Sequence, residues 1–274
     1  MDSVLSLLSH VLPVLYGAAW VNYSVYFIRD DPFAKRTATP FLLSTAALHA
    51  LYIVLLAAAY RHHPMASVFE VLTIIALALV LVYLTVEHRQ RNKSTGVFIL
   101  PAVFLLQLIS AVWIQPSRDI NPILKDTLFG LHTGSIALGY AAFFLSAVYG
   151  LMYVLLFRAL RRKTFGLIFE RLPSLDVLAR MTMGAVLVGF IFLTFAMLFG
   201  AMWASGQIDG YWRDPKFVMT LLVWLVYGLS LVSHYLLKWT ARRVVSVALM
   251  AFALMVFSIL AVNLIFTSFH EFGG

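Results

Sequence analysis

The 274-residue sequence contains no cysteine and few charged residues. Without cysteine the chain forms no disulfide and offers neither a thiolate ligand nor a thiol nucleophile, so any bound metal must be held by histidine or oxygen. Charged residues make up 12% of the chain, against about a quarter in an average soluble domain. Linker-like stretches and a convincing internal repeat are also missing, which predicts one domain over residues 1–274.

Apolar residues account for 62% of the chain, and the mean hydropathy is +0.91. A helix needs about 20 predominantly apolar residues to cross a bilayer. The segments that meet this requirement are 3–28, 40–60, 65–87, 96–115, 128–157, 181–204, 217–238 and 244–268. The sequence therefore predicts an all-α, polytopic integral membrane protein of about eight transmembrane helices.

The formal net charge of +8 is unevenly distributed between the predicted helices. The odd-numbered connections hold 15 of the 20 lysine and arginine residues. Basic residues accumulate in cytoplasmic loops, so these connections are predicted to be cytoplasmic. With eight crossings both termini then lie on the outer side of the cell's inner (plasma) membrane. Topology thus accounts for the positive charge, and nucleic acid is not an expected partner.

Histidines form two depth-matched pairs on this topology. His49 lies about 13 Å beyond Pro40 at 1.5 Å per residue, and His234 lies in the last turns of the seventh segment, so both fall in the cytoplasmic half. His132 begins the fifth segment and His270 follows the eighth, so both fall at the outer face. Imidazole is a common axial ligand of haem iron, which favours one inner and one outer haem site. The alternative for each histidine is a hydrogen bond to a neighbouring helix or an interfacial position.

Aromatic residues concentrate in the sixth connection, residues 200–216. Trp203, Tyr211 and Trp212 lie where a membrane protein often carries an interfacial aromatic belt, and that is one interpretation. The other is a flat apolar platform for a porphyrin, with Arg213 available to its propionates.

Residues 200–216 resemble the tryptophan-rich outer loop of the cytochrome c assembly proteins, the haem-handling membrane proteins of the CcsA, CcmC and HemX-like group. The Tyr-Trp-x-Asp-Pro-Lys run at 211–216 is nearly intact, although the loop has fewer tryptophans and is one residue shorter before Asp214. A His-x-Pro hairpin at 62–64, followed by Glu70, is similar to another part of the same family.

The resemblance implies that the protein takes haem b from the cytoplasmic side and presents it at the outer face, under the tryptophan-rich loop. Apocytochrome c and other cytochrome c maturation proteins are the implied partners. The implied binding residues are His132 and His270 as outer axial ligands, His49 and His234 as inner ligands, and Trp203, Tyr211, Trp212 and Asp214 as the platform. His62 and His63 are interpreted as exposed hairpin residues.

Several functions remain open on the sequence alone. The first hypothesis is a component of cytochrome c biogenesis, either a haem exporter or part of a haem synthase. The second is a HemX-like membrane regulator of haem biosynthesis without synthase activity. A membrane cytochrome that passes electrons between two haems is a third hypothesis. A transporter unrelated to haem is a fourth, because histidines and aromatic residues within membranes are not unique to porphyrin sites.

Overall fold

A computed structural model describes residues 2–65, 67–115, 122–164, 166–205 and 210–265, and every regular element within these ranges is helical. The α-helices are α1 (Asp2–Arg29), α2 (Pro32–Tyr60), α3 (Val68–Gln90), α4 (Gly96–Trp113), α5 (Thr127–Arg162), α6 (Leu167–Arg171), α7 (Leu175–Ala204), α8 (Pro215–Tyr235) and α9 (Ala241–Ile265). Short 3-10 turns occupy Pro122–Lys125 and Tyr211–Arg213.

Eight of these helices, all except α6, are long and apolar enough to cross a membrane. This confirms the predicted all-α fold and the number of crossings. Which side of the membrane each terminus occupies stays a prediction.

The second helix is longer than the apolar segment 40–60, because α2 begins at Pro32. Asp31 caps that start by accepting a hydrogen bond of 2.8 Å from the backbone nitrogen of Ala34, and proline is well tolerated in a first helical turn. Pro40 then lies inside the helix. At 1.5 Å per residue His49 is about 26 Å along α2 from Pro32.

The chain divides into two compact units, unit 1 (Met1–Lys125 and Val154–Val177) and unit 2 (Asp126–Tyr153 and Leu178–Gly274). In unit 1, α1 packs against α2 and α4, and α3 packs against α4 and α2. Leu12, Tyr52 and Leu56 are buried together between α1 and α2. The single domain expected from the sequence stays a prediction.

Unit 2 contains the first part of α5, most of α7, and α8 and α9. Its core joins these four helices around Phe143, Val186, Tyr227 and Ala248. The rings of Phe143 on α5 and Tyr227 on α8 are stacked at 3.7 Å between centroids and are almost parallel, at 4°.

Candidate functional site

His132 stands in the second turn of α5, in unit 2, and its ring is held by a backbone group of α7. Its Nδ1 atom lies 2.7 Å from the carbonyl oxygen of Ala196. A carbonyl oxygen only accepts hydrogen bonds, so Nδ1 carries the proton and Nε2 carries the lone pair. Ligating histidines are typically fixed in this way, with one nitrogen donating to a carbonyl and the other facing the metal. The geometry therefore leaves the lone pair on Nε2 of His132, the atom through which an imidazole can bind a metal.

Gly200, one turn after Ala196 on α7, provides the room for this ring. A methyl group on its Cα would lie 2.7 Å from Nδ1 and 2.8 Å from Cε1 of His132, and 3.3 Å from the hydroxyl oxygen of Tyr211. Contacts below 3 Å are inside van der Waals separation, so a larger residue would displace the imidazole. Glycine at 200 thus brings His132, α7 and the Tyr211 hydroxyl together.

An aromatic pair joins α5 and α7 one turn from this histidine and from Gly200. Phe129, one turn before His132 on α5, meets Trp203 of α7 edge to face, with centroids 5.8 Å apart. Trp203 is buried, and its Nε1 has no hydrogen-bond acceptor among the described residues. A buried indole N–H without a partner is unfavourable, so Trp203 offers an unused hydrogen-bond donor in this region.

The turn before α8 carries the other predicted platform residues. Tyr211 is 7% exposed whereas its neighbour Trp212 is 58% exposed. Both rings pack on Phe217, at 5.0 Å for Tyr211 and 5.1 Å for Trp212. Asp214 is buried and caps α8, accepting a 2.7 Å hydrogen bond from the backbone nitrogen of Lys216. Trp212 therefore presents an aromatic face to the surroundings, whereas Tyr211 and Asp214 point into unit 2.

Burial, and after it the negative charge of Asp214, raise the pKa of Tyr211. The phenol therefore remains protonated at neutral pH and serves as a hydrogen-bond donor.

The structure brings four of the predicted residues, His132, Trp203, Tyr211 and Asp214, into one region of unit 2, which we call the His132 cluster together with Phe129 and Gly200. Trp212 lies at its exposed edge. His270, the predicted partner ligand, lies outside the described residues. Its role stays a prediction.

His49, the first of the predicted inner ligands, is fully buried in unit 1 and is bonded at both ring nitrogens. Nδ1 lies 2.9 Å from the hydroxyl of Tyr16, and Nε2 lies 2.8 Å from the hydroxyl of Thr73. Thr73 donates to Oε1 of Gln107 at 2.7 Å, so its oxygen accepts from Nε2–H of His49. Nδ1 is then the acceptor of the Tyr16 hydroxyl. This chain of hydrogen bonds connects α1, α2, α3 and α4.

Because both nitrogens of His49 are engaged, binding iron there requires one of these hydrogen bonds to break. His234, the second predicted inner ligand, is half-buried in the last turn of α8 in unit 2, beside the ring of Tyr235 at 4.7 Å. The pairing of His49 with His234 stays a prediction.

His62 differs from its interpretation as an exposed hairpin residue, because only 5% of it is exposed. Its Nδ1 lies 2.7 Å from the carbonyl oxygen of His63. The local turn thus folds the first imidazole of the His-x-Pro motif inward.

Sequence reasoning missed the residues that orient the histidines. Ala196 acts through its backbone carbonyl, which no side-chain pattern reveals. Gly200 could have been noticed in the sequence, because it is a glycine near the end of a long apolar helix. That it lies against His132 of α5 is known only from the fold. Thr73 and Gln107 also carried a signal, because polar residues within apolar segments are costly unless they are paired.

Haem requires less from the protein than a bare metal ion, because the porphyrin supplies four nitrogen ligands and the chain supplies axial ones. Within the described ranges no group of three or more histidine or acidic side chains could hold a metal ion. The His132 cluster fits a porphyrin by its oriented imidazole, its unpartnered indole N–H and its aromatic walls.

The helices and this cluster define an all-helical, polytopic membrane protein with an oriented histidine near one end of unit 2. Residues 13–270 match the cytochrome c assembly protein family, and the chain belongs to that family.

Curated relatives are similar over most of their length. The cytochrome c biogenesis protein CcsA of Chlorella vulgaris is 27% identical over 248 residues, covering 77% of this chain and 78% of that protein. The protein of the same name from Heterosigma akashiwo is 22% identical over 250 residues, covering 78% of each chain. The one from Chlamydomonas reinhardtii is 27% identical over 220 residues, covering 77% of this chain and 61% of that protein.

Proposed function

We propose that this protein binds haem at the His132 cluster and acts in cytochrome c biogenesis. The observation that carries the proposal is the 2.7 Å hydrogen bond from Nδ1 of His132 to the carbonyl oxygen of Ala196, which leaves the lone pair on Nε2. Family membership and the biogenesis role in the names of the CcsA relatives support the same function.

In this proposal His132 and His270 are the axial ligands of an outer haem, and His49 and His234 hold haem closer to the cytoplasm. The cargo is haem b, taken from the cytoplasmic side and presented at the outer face. Two imidazoles occupy the axial positions of the iron and keep other ligands away from it. Trp203, Tyr211, Trp212 and Asp214 complete the outer site as its platform.

Apocytochrome c is the proposed recipient. Covalent cytochrome c requires thiols that add to the porphyrin, and this chain contains no cysteine, so the thiols must come from the partner. The exposed ring of Trp212 offers an apolar surface next to the site for that encounter. Whether this chain is part of the synthase or only delivers haem is decided by the partner proteins.

The proposed location is the inner (plasma) membrane, with multiple crossings and both termini outside. The bias of basic residues toward the odd-numbered connections supports this orientation. Reporter fusions after residue 274 and within residues 158–174 should report opposite sides of the membrane. Reporters on the same side would contradict the topology.

Haem binding is tested by purifying the chain in detergent and measuring haem per protein from its visible spectrum. We expect His132→Ala to reduce bound haem by about tenfold, since losing an oriented ligand removes one axial bond. Added imidazole should restore haem to this variant, because it can occupy the position of the missing side chain. His10→Ala is the matched control, since His10 is an exposed histidine bonded to the carbonyl of Ser6.

Full haem content in His132→Ala would contradict the proposed outer site. A folded variant that has lost haem and fails to recover it with imidazole would indicate that His132 is not itself a ligand. Thermal melting of each variant separates loss of haem from loss of fold.

A HemX-like regulator of haem biosynthesis without synthase activity is the second candidate. The observation that favours it is the small number of tryptophans in residues 200–216, where only Trp203 and Trp212 occur. Deleting the gene separates the two functions. Loss of covalent cytochrome c supports biogenesis, whereas unchanged cytochrome c with altered haem precursors supports the regulator.

A further inference from the structure

Unit 2 buries hydroxyl groups that neither the His132 cluster nor the proposed haem ligands use. Ser146 of α5 and Tyr227, Ser230 and Ser233 of α8 are each no more than 1% exposed. None of their hydroxyl oxygens has a hydrogen-bond partner among the described residues. Four such groups in one core require an explanation, because buried polar groups are normally paired.

Other hydroxyls in the same unit show how such groups are usually satisfied. Thr133, Thr182 and Thr194 each donate to the carbonyl four residues earlier, at 2.9, 2.8 and 2.7 Å. Serine and threonine in apolar helices commonly bond in this way. The four hydroxyls listed above have no such bond, so their polar atoms require another partner.

Contacts between side chains fix the relative directions of α5, α7 and α8. His132 and Phe143 of α5 lie against Gly200 and Gly189 of α7, so these two helices are antiparallel. Trp224 of α8 donates to Thr194 of α7 at 2.9 Å, and Gly228 lies against Phe190, so α7 and α8 are antiparallel as well. It follows that α5 and α8 run in the same direction.

The stacked rings of Phe143 and Tyr227 therefore set a common level on α5 and α8. Ser146 and Ser230 each follow that pair by three residues, which is about 4.5 Å along either helix, so they share the next level. Ser233 lies one such step further. The three serine hydroxyls thus lie at two successive levels of unit 2 between the Phe143–Tyr227 pair and the end of α8, where Leu236 is 73% exposed. The Tyr227 hydroxyl lies apart from them, because it interacts with Tyr140, three residues before Phe143 on α5.

We propose that Ser146, Ser230 and Ser233 line an internal water-binding seam that opens at the Tyr235 end of α8. Water is the ligand that this chemistry favours, because each hydroxyl both donates and accepts and a buried water typically makes about three hydrogen bonds. The seam extends about 4.5 Å along α8 from Ser233 to Ser230 at 1.5 Å per residue. It gives the core of unit 2 a hydrated path that begins beside His234. The proposal does not depend on haem binding.

The absence of cysteine from the chain makes a direct test practicable. Ser146→Cys and Ser230→Cys each introduce a single thiol on a different helix. Silver ion is the probe, because a charged ion reaches a buried thiol only through water. The full-length protein in detergent is exposed to silver ion, then denatured, and the remaining thiols are counted with a maleimide dye.

Thr182→Cys is the matched control, since Thr182 is 0% exposed and its hydroxyl is bonded to the carbonyl of Leu178. Ser246→Cys, at an exposed position of α9, sets the upper limit. We expect the thiols at 146 and 230 to react about tenfold or more faster than the thiol at 182, since reaction requires access.

The proposal is overturned if the thiols at 146 and 230 react at the same rate as the thiol at 182. It is also overturned if only one of the thiols at 146 and 230 reacts quickly, because both positions line the same seam. Size-exclusion chromatography checks that each variant is folded. If Ser230→Cys does not fold, Ser233→Cys replaces it on α8 and is judged by the same criterion.

Discussion

The imidazole of His132 is bonded through Nδ1 to the backbone carbonyl oxygen of Ala196, at 2.7 Å. This contact joins α5 to α7 and fixes the tautomer, so that the lone pair lies on the other nitrogen, Nε2. The orientation of the imidazole is therefore set by the backbone of the neighbouring helix.

Replacing Gly200 should disturb that orientation directly. A methyl group in Gly200→Ala would lie 2.7 Å from Nδ1 of His132, so the ring must move and the hydrogen bond to Ala196 is strained. Overpacking of this kind costs about 1–3 kcal/mol, and we expect a lower melting temperature together with a clear loss of bound haem.

Gly184→Ala is the control for this change. Gly184 lies on the same helix, and a methyl group there meets nothing within 4 Å. We expect haem content to remain at the wild-type level in this variant. Equal haem content in both variants would show that the close approach of His132 to Gly200 does not matter for binding.

Much of the fold could be predicted because bilayer thickness imposes a length on each apolar segment. The eight predicted segments each correspond to one long helix. The largest difference is at α2, which begins at Pro32, before the apolar segment 40–60, because Asp31 and Pro32 together supply a cap and a first turn. Proline marks a helix start only where the preceding residues cannot extend the helix.

Less of the candidate site could be predicted, since it depends on which residues meet across helices. The sequence indicated His132, Trp203, Tyr211 and Asp214, and these lie in one region of unit 2. The hydrogen bonds that engage both nitrogens of His49 were not foreseen, because they join residues 33 and 24 positions apart. Sequence-based depth places a residue along the membrane normal but not around its helix.

Asp214→Asn should lower the pKa of Tyr211. Burial is the larger cause of the raised pKa and the charge of Asp214 is the second, so removing that charge moves the pKa toward its ordinary value of about 10. Asparagine keeps an oxygen that can cap α8. The measurement is a pH titration by NMR of tyrosine-labelled protein, with Tyr211→Phe used to assign the signal.

The same raised pKa makes stability depend on pH in the alkaline range. Because the folded-state pKa lies above the unfolded one, the stabilisation is fully present below about pH 10 and is lost as the pH rises through the folded-state value. Thermal melting at increasing alkaline pH should show a weaker decline for Tyr211→Phe than for the wild type. An identical decline in both would assign the pH dependence to other groups.

Thr73→Val should destabilise unit 1. The hydroxyl of Thr73 accepts from His49 and donates to Gln107, so valine leaves both partners buried without it. Each unsatisfied buried group costs about 1–3 kcal/mol, and we expect a melting temperature several degrees lower. Thr85→Val is the matched control on α3, since Thr85 is exposed and bonds only to the carbonyl of Leu81 of its own helix. A comparable loss in the control would contradict a specific role for Thr73.

Tyr16→Phe should make His49 more available to iron. The Tyr16 hydroxyl occupies the lone pair on Nδ1 of His49, at 2.9 Å, and iron can bind there only after that hydrogen bond is broken. Phenylalanine removes the competing donor while keeping the ring, so the cost of breaking the bond disappears. In the His132→Ala background, where the outer site is disabled, we expect this change to increase bound haem by several fold, in line with the loss of one buried hydrogen bond. His49→Ala should abolish the increase. If Tyr16→Phe does not change the haem content, His49 takes part in the hydrogen-bond chain across α1 to α4 and does not bind iron.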